Sequence, residues 1–327
     1  MTSQPSSPAL PGSAAFEAAV APHQQALLAH CYRMTGSLPD AEDALQETLI
    51  RAWRAYGSFE GRSSVRTWLF RIATNASHRL LEQRQRRVLP VDFGPAHDPH
   101  GPRGGQVDED VWLTPFPGTP PASPAARYES RESVRLAFVA ALQALPSRQR
   151  AALLLRDVLG FSAAETAEAL ETTVASANSA LNRARRALEK RTPDPMPVDD
   201  ALTEALVERF VETWVRNDVA GLVGLLAEGV EMTMPPMSQW YSGRADVAEF
   251  LRLRPLAGHL SWRARDIVAN GQPGFALYST DDGSSYDAHS LNVLTVADGR
   301  VTAIHAFLTP GLFAAFGLPE RMPAAEA

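Results

Sequence analysis

Residues 162–191 read SAAETAEALETTVASANSALNRARRALEKR, and the fold of the surrounding region is decided there. Ser162 followed three residues later by Glu165 has the form of a capping box, which predicts a short helix through Leu170. Glu171-Thr172-Thr173 then makes a brief turn into a longer helix, in which Ala177, Leu181, Ala184 and Leu188 recur at helical spacing. Just upstream, Pro146-Ser147 opens a helix carrying Leu153, Leu154 and Val158, and Gly160 ends it. A short helix, a tight turn and a longer basic helix are helix-turn-helix grammar. The outer stripe of the last helix offers Ser176, Ser179, Asn182, Arg183 and Arg186, with Asn178 at its flank. Such groups reach base edges near a helix start and phosphates further along. A helical hairpin with a charged surface fits the same pattern, because this geometry also occurs outside DNA binding.

Towards the N-terminus, Leu45, Leu49, Trp53 and Tyr56 recur at helical spacing between an opening Ser37 and Pro39 and a closing Gly57. The opposite face carries Asp43, Glu47, Ile50 and Arg54, where an isoleucine among charges suits a surface that a partner covers. A lone exposed apolar residue is the plainer account of it. A second helix follows Phe59-Glu60-Gly61, capped by Ser63 or Ser64, with Val65, Leu69, Ile72, Ala76 and Leu80 as its buried stripe. Its other face combines Arg66, Thr67, Phe70, Arg71, Thr74 and His78, a mixture suited to phosphates and unstacked bases. Phe59, Trp68 and Phe70 also suit packing against neighbouring helices, the expected role for Trp68.

Two stretches break the helical periodicity. Residues 89–125 are crowded with prolines and glycines, so no regular element is expected to persist there. Residues 192–199 carry Pro193, Pro195 and Pro197 directly after a basic helix. These linkers separate three units, at 13–88, 126–191 and 200–318, with a disordered leader at 1–12 and a tail at 319–327. A length of 327 residues with 45% hydrophobic and 21% charged residues fits several globular domains and excludes wholesale disorder. The single cysteine, Cys31, forms no internal disulfide, and no signal peptide or bilayer-spanning stretch is evident, so a reducing cytoplasm is the expected location.

The net charge of -6 conceals an asymmetry. Residues 1–198 hold 22 Lys+Arg against 20 Asp+Glu, whereas residues 199–327 hold 9 against 17, which together make up the 31 and 37 of the whole chain. Positive charge concentrates at Arg62–Arg87 and again at Arg183–Arg191, the footprint expected of phosphate binding, although solvated helix faces share it. The last unit changes grammar. Helices are predicted at 201–216, 219–227 and 244–254, and strands at 230–234, 260–269, 274–280, 288–296 and 301–308, with Asp298-Gly299 as a hairpin turn. That pattern is α+β, a curved antiparallel sheet wrapped by helices, and Trp214, Met232, Met234, Trp240, His289, His305 and Phe307 are candidate walls of an enclosed pocket.

The run from Asp40 to Trp53, the run Thr67-Trp-Leu-Phe-Arg-Ile-Ala-Thr-Asn75, the run from Leu145 to Asp157, and Asn182-Arg-Ala-Arg185 together resemble bacterial RNA polymerase sigma factors of the extracytoplasmic-function group. The resemblance implies two all-α domains: a region-two helical bundle that holds the polymerase clamp and opens the minus-ten element, and a region-four helix-turn-helix that reads the minus-thirty-five element and contacts the flap. By position it puts Asp40, Asp43, Glu47 and Ile50 on the clamp-binding helix. Phe59, Arg62, Ser63 and Ser64 fall on the loop that captures a flipped minus-ten base, and Arg66, Thr67, Arg71 and Asn75 on the helix beside it. The third unit, with its run Met234-Pro-Pro-Met-Ser-Gln-Trp-Tyr-Ser-Gly-Arg244, resembles the SnoaL-like branch of the nuclear-transport-factor-like fold, a cone that regulates sigma activity in some subgroups.

That fold also hosts enzymes, so catalysis needs its own argument. His289 or His305 with Asp266 or Asp287 are the evident acid–base candidates, and strand parity groups His289 with Leu291 and Val293, and His305 with Val301 and Phe307. Histidines on apolar faces are more often hydrogen-bonded core residues, so no catalytic residue is assigned. His97 and His100 lack further ligands nearby, and no Walker or dinucleotide glycine motif is present, so neither metal nor cofactor is expected. The expected partners are core RNA polymerase and promoter DNA, with a small molecule or protein acting through the cone, and no membrane. A one-component regulator with a ligand-sensing cone, or a SnoaL-like cyclase or hydrolase, are the alternatives. The first of these leaves the N-terminal unit unexplained, since a repressor has no need of a clamp helix and a strand-capturing loop.

Overall fold

The computed structural model describes residues 13–118, 135–189 and 200–324. The leader 1–12, residues 119–134, the whole second linker with residues 190–191, and residues 325–327 lie outside the described residues. The chain forms two compact units, residues 1–87 with 137–192 and residues 88–136 with 193–327.

In the first unit α1 is Ser13–Val20, α2 Gln24–Thr35, α3 Leu38–Tyr56 and α4 Val65–Gln83. Further helices are α5 Leu136–Gln143, α6 Ser147–Leu153 running into a π turn at Leu154–Val158, α7 Ala163–Ala169 and α8 Val174–Leu188. Short polar side chains cap α3, α4, α7 and α8. Ser37 accepts from the Asp40 N–H, Thr173 from that of Ser176, and Ser64 rather than Ser63 from that of Thr67. Both arms of the Ser162–Glu165 capping box are present, Gly160 adopts φ +68°, and α8 buries Ala177, Leu181, Ala184 and Leu188.

Helix α3 departs from expectation. Its buried stripe is Leu38, Ala41, Ala44, Thr48 and Ala52, while Leu45, Leu49, Trp53 and Tyr56 are only half-buried. Small side chains let α2 and α4 approach α3 closely, and the larger ones flank the seam. Phe16 of α1 meets Trp53 and Tyr56 edge-on at 5.2 and 5.4 Å. Helix α4 also differs, because it buries Leu69 and Ala76 on one side and Thr67, Phe70 and Thr74 on the other.

A buried polar pair, His30 and Thr74, ties α2 to α4. The Thr74 hydroxyl donates to the Phe70 carbonyl at 2.7 Å, so His30 Nε2, 2.9 Å from the same oxygen, carries the ring proton and donates it. Nδ1 is left buried without a partner, and burial pushes the His30 pKa down from 6.5 to about 3. A base whose folded pKa is depressed contributes stability that is intact above about pH 6.5 and lost as pH falls toward about 3. We expect His30→Gln, which keeps the donor but takes no proton, to flatten that acid-induced loss in denaturant titrations between pH 7 and pH 4. An unchanged pH slope would count against His30 as its source.

In the second unit α9 is Asp200–Val215, α10 Val219–Val223 and α11 Arg244–Leu253. The strands are β1 Leu226–Thr233, β2 Trp240–Ser242, β3 Ser261–Ala269, β4 Gln272–Thr280, β5 Ser285–Ala297, β6 Arg300–Phe307 and β7 Arg321–Pro323. They form one seven-stranded sheet ordered β2-β1-β6-β5-β4-β3, with β7 on β5. The sheet is not purely antiparallel, since β1 and β6 run parallel. Asp298-Gly299 turns β5 into β6 with both φ positive, and Asn270-Gly271 does the same between β3 and β4, a turn signal the sequence reading passed over. β1 starts at Leu226, so α10 stops short of the predicted 227.

Among the described residues of the proline-rich linker the helical turns are Pro90–Asp92 and Glu109–Val111, and the segment is held against this sheet. The Trp240 indole donates to the Gly94 carbonyl at 2.8 Å, and Val107 N–H donates to the Pro236 carbonyl at 3.0 Å. Phe116 and Asn270 exchange bonds at 2.8 and 2.9 Å, while Trp112, Leu113 and Phe116 are buried. Prolines forbid a regular element here without preventing side-chain burial.

Candidate nucleic-acid and polymerase interfaces

Helix α8 presents a divided surface. Behind it, Leu181, Ala184 and Leu188 pack into a core with Leu142, Leu145, Leu153 and Leu154. In front, Ser176, Asn178, Ser179, Asn182, Arg183 and Arg186 are all exposed. Arg185, between the two, forms a bidentate pair with Asp157 at 2.6 and 2.9 Å, which fixes α8 against the π turn. The hydrogen bond and charge of Asp157 raise the Arg185 pKa above its ordinary value.

The clamp-helix candidates separate. Asp43 and Ile50 are exposed and Glu47 is half-exposed, paired with Arg51 one turn on. Asp40 is a correction: it is buried, and its carboxylate accepts from Arg87 at 2.5 Å with Arg84 at 3.8 Å. It sits on the inner side of the first turn of α3, so it anchors the segment that follows α4 instead of facing solvent.

Of the loop candidates, Arg62 pairs with Glu60 at 3.1 Å in full solvent, and Phe59 lies on Trp68 with ring centroids 4.9 Å apart. Trp68 is buried, as its packing role required. The helix candidates are covered. Arg66 donates to the Leu159 carbonyl at 2.6 Å, Thr67 to Glu165 at 3.1 Å and Asn75 to Glu171 at 3.1 Å, while Arg71 lies 3.7 Å from Glu168. Phe70, expected to face outward, is buried edge-on against Phe161 at 5.7 Å. Beyond Asn75 the seam opens into a polar cleft of about 310 Å³ lined by His78, Arg79, Ser147, Arg148 and Glu171.

The cone candidates divide between the two faces of the sheet. Directly paired residues share a face. Met232 pairs with Ile304, and with Met234, Trp214, Phe210, Trp262 and Phe275 it belongs to the core beneath α9. Thr233 pairs with Trp240 and His305, His305 with Val293, and Leu291 with Phe307, so those side chains take the other face, over which the linker passes at Trp240. His305 lies 2.9 Å from the Thr233 hydroxyl, and burial lowers its pKa to about 4. A bulge in the β4–β5 register at Leu277/Tyr278 turns His289 away from Leu291 and Val293, so that its ring meets Trp262 at 4.9 Å; burial lowers its pKa too. One pocket lined by all the predicted residues is therefore not formed. Among the described residues no group of three or more His, Cys, Asp or Glu side chains could hold a metal ion, and no helix is long and apolar enough to cross a membrane.

Comparison with known proteins agrees with this division. Residues 19–87 match the Sigma-70 region 2 family, residues 135–188 Sigma-70 region 4, and residues 207–304 the SnoaL-like domain. The chain is 44% identical over 315 residues to the ECF RNA polymerase sigma factor SigG of Mycobacterium tuberculosis, covering 94% of this chain and 85% of that protein. The RNA polymerase sigma-H factor of Pseudomonas aeruginosa is 32% identical over 176 residues, 54% of this chain and 85% of that one. The crystal structure of the Mycobacterium tuberculosis extracytoplasmic function sigma factor SigJ shares the fold, with a TM-score of 0.61 at 24% identity over 94% of this chain and all of that one. A region-two bundle, a region-four helix-turn-helix and a C-terminal SnoaL-like domain, with 94% of the chain matched to SigG, make this chain a member of the extracytoplasmic-function sigma factors that carry a SnoaL-like extension.

Proposed function

We propose that the chain binds core RNA polymerase through the Asp43, Glu47 and Ile50 face of α3 and reads the minus-thirty-five element with the front of α8. The loop Phe59–Ser64 and the Arg66, Thr67, Arg71, Asn75 face of α4 engage the opened minus-ten strand. Such a protein works where the polymerase is, in the cytoplasm. The observation that carries the reading is α8 itself, polar and exposed in front and apolar and buried behind. Arg186→Ala is expected to weaken promoter binding across sequences and lower its salt dependence. Asn182→Ala should instead change preference at one or two positions, at about 1–3 kcal/mol. Band-shift titrations on promoter variants separate the two. Uniform loss from both changes would show that Asn182 touches backbone only.

The C-terminal domain in this reading modulates initiation and does not catalyse. Support comes from the acid–base candidates themselves: Asp287 accepts from Arg321, His305 lies against the Thr233 hydroxyl and the His289 ring meets Trp262, so neither histidine is paired with a candidate carboxylate. Its influence would travel through the linker. Removing residues 200–327 takes away the partners of Gly94, Val107 and Phe116, so the truncated protein should be cut rapidly by protease between 88 and 118 and should transcribe at a changed level while still binding core polymerase. Equal protease resistance would detach the linker from the regulatory role.

A further inference from the structure

Every polar side chain assigned to the strand-binding face of α4 already has a partner in region four. Thr67, Arg71 and Asn75 stand at i, i+4 and i+8 along α4, and Glu165, Glu168 and Glu171 at i, i+3 and i+6 along α7 and the residue turn that follows it. The two ladders meet rung by rung and in order, at 3.1, 3.7 and 3.1 Å. All three partners are carboxylates, anionic oxygen acceptors as phosphates are. Arg66 completes the set: its guanidinium lies 4.6 Å from the centre of the Phe161 ring, the stacking it would offer an unstacked base. Glu171 adopts φ +51°, a left-handed position that glycine or asparagine fills with less strain, and its bond to Asn75 accounts for a glutamate there.

We propose that the acidic edge Glu165–Glu168–Glu171 is an intramolecular stand-in for the minus-ten strand, covering the α4 face until region four moves away. The proposal rests on the minus-ten reading of α4 given above. The contacts suit a cover that must lift, because Arg71 and Glu168 keep 36% and 47% of their side chains exposed and such pairs are individually weak. Glu165 is additionally held by Ser162, whose N–H and hydroxyl lower its pKa before Thr67 adds to the effect. Helix α8 keeps its front face exposed in this arrangement, so the free chain has its duplex-reading surface available and its strand-reading surface occupied.

The test uses the full chain and a fluorescent A+T-rich single strand of about 12 nucleotides, read by anisotropy at low salt. The variant Glu168→Gln with Glu171→Asn leaves the Glu165 cap in place and puts a left-handed-tolerant residue at 171. If the face is free only about a tenth of the time, the variant should bind about tenfold tighter. Adding Arg71→Ala should abolish the gain. The matched change Asp281→Asn with Asp298→Asn, which removes equal charge from the C-terminal sheet, should produce none. No gain, or a gain that the control reproduces, overturns the cover. Permanganate footprinting of promoter opening by holoenzyme carrying Arg71→Ala with Asn75→Ala keeps the two claims apart. Impaired opening with no gain in strand binding leaves the minus-ten reading standing and removes only the cover, whereas intact opening removes both.

Discussion

Arg150→Leu is expected to destabilise the first unit by about 3–5 kcal/mol, seen as a lower denaturant midpoint. The guanidinium is 4% exposed and donates to the Met34 carbonyl, to the side chain and carbonyl of Gln143, and to the Leu145 carbonyl at 3.1 Å. Gln143 in turn donates to the Arg33 carbonyl at 3.2 Å. One side chain thus satisfies the C-terminal carbonyls of α2 and of α5 together. Burial, followed by repulsion from Arg86, lowers the Arg150 pKa to about 9, so the charge is retained at neutral pH although desolvation opposes it. Leucine fills much of the volume but leaves those oxygens without donors. Arg150→Lys should recover part of the loss by supplying some of the bonds. A midpoint shift worth less than about 1 kcal/mol for the leucine variant would show that water replaces the guanidinium.

Reversing charge on the Asp43 and Glu47 face of α3 should have a large effect on assembly with little on folding. Asp43 is exposed and Glu47 half-exposed, so Asp43→Lys with Glu47→Lys should alter stability by no more than about 0.5 kcal/mol, chiefly through loss of the Glu47–Arg51 pair. If this face meets a basic clamp surface, core affinity should fall at least about tenfold, and more at low salt. Asp40→Asn acts differently. It breaks the buried bond to Arg87 and should lower stability first. Equilibrium binding to core polymerase alongside thermal denaturation distinguishes these patterns. Unchanged core affinity in the double charge reversal would remove α3 from the polymerase interface.

The helix-turn-helix was legible in local chemistry. A capping box, a glycine at positive φ and a four-residue stripe in α8 are short-range signals, and each recurs in the structure where the sequence put it. What the sequence concealed depends on contacts between distant segments. The stripe of α3 could not reveal that Ala41, Ala44, Thr48 and Ala52 face inward, because two equally spaced stripes compete and close helix packing decides between them. Asp40 looks identical to Asp43 until Arg87 is brought to it across 47 residues. The polar face of α4 reads from sequence as a face for phosphates and bases, but the groups it meets in the fold, the Leu159 carbonyl and Glu165, lie more than ninety residues away. In the C-terminal domain, alternation predicted most strands but not the bulge that redirects His289. A single inserted residue reverses which way every later side chain points.

Run-off transcription with purified core RNA polymerase on templates from the source genome tests the account most directly. The account predicts a discrete transcript that requires both core enzyme and this chain. It should weaken sharply with Asp43→Lys and Glu47→Lys, and its level should change when residues 200–327 are removed. Tight sequence-specific duplex binding by the chain alone, with no core-dependent transcript from any bound template, would contradict it.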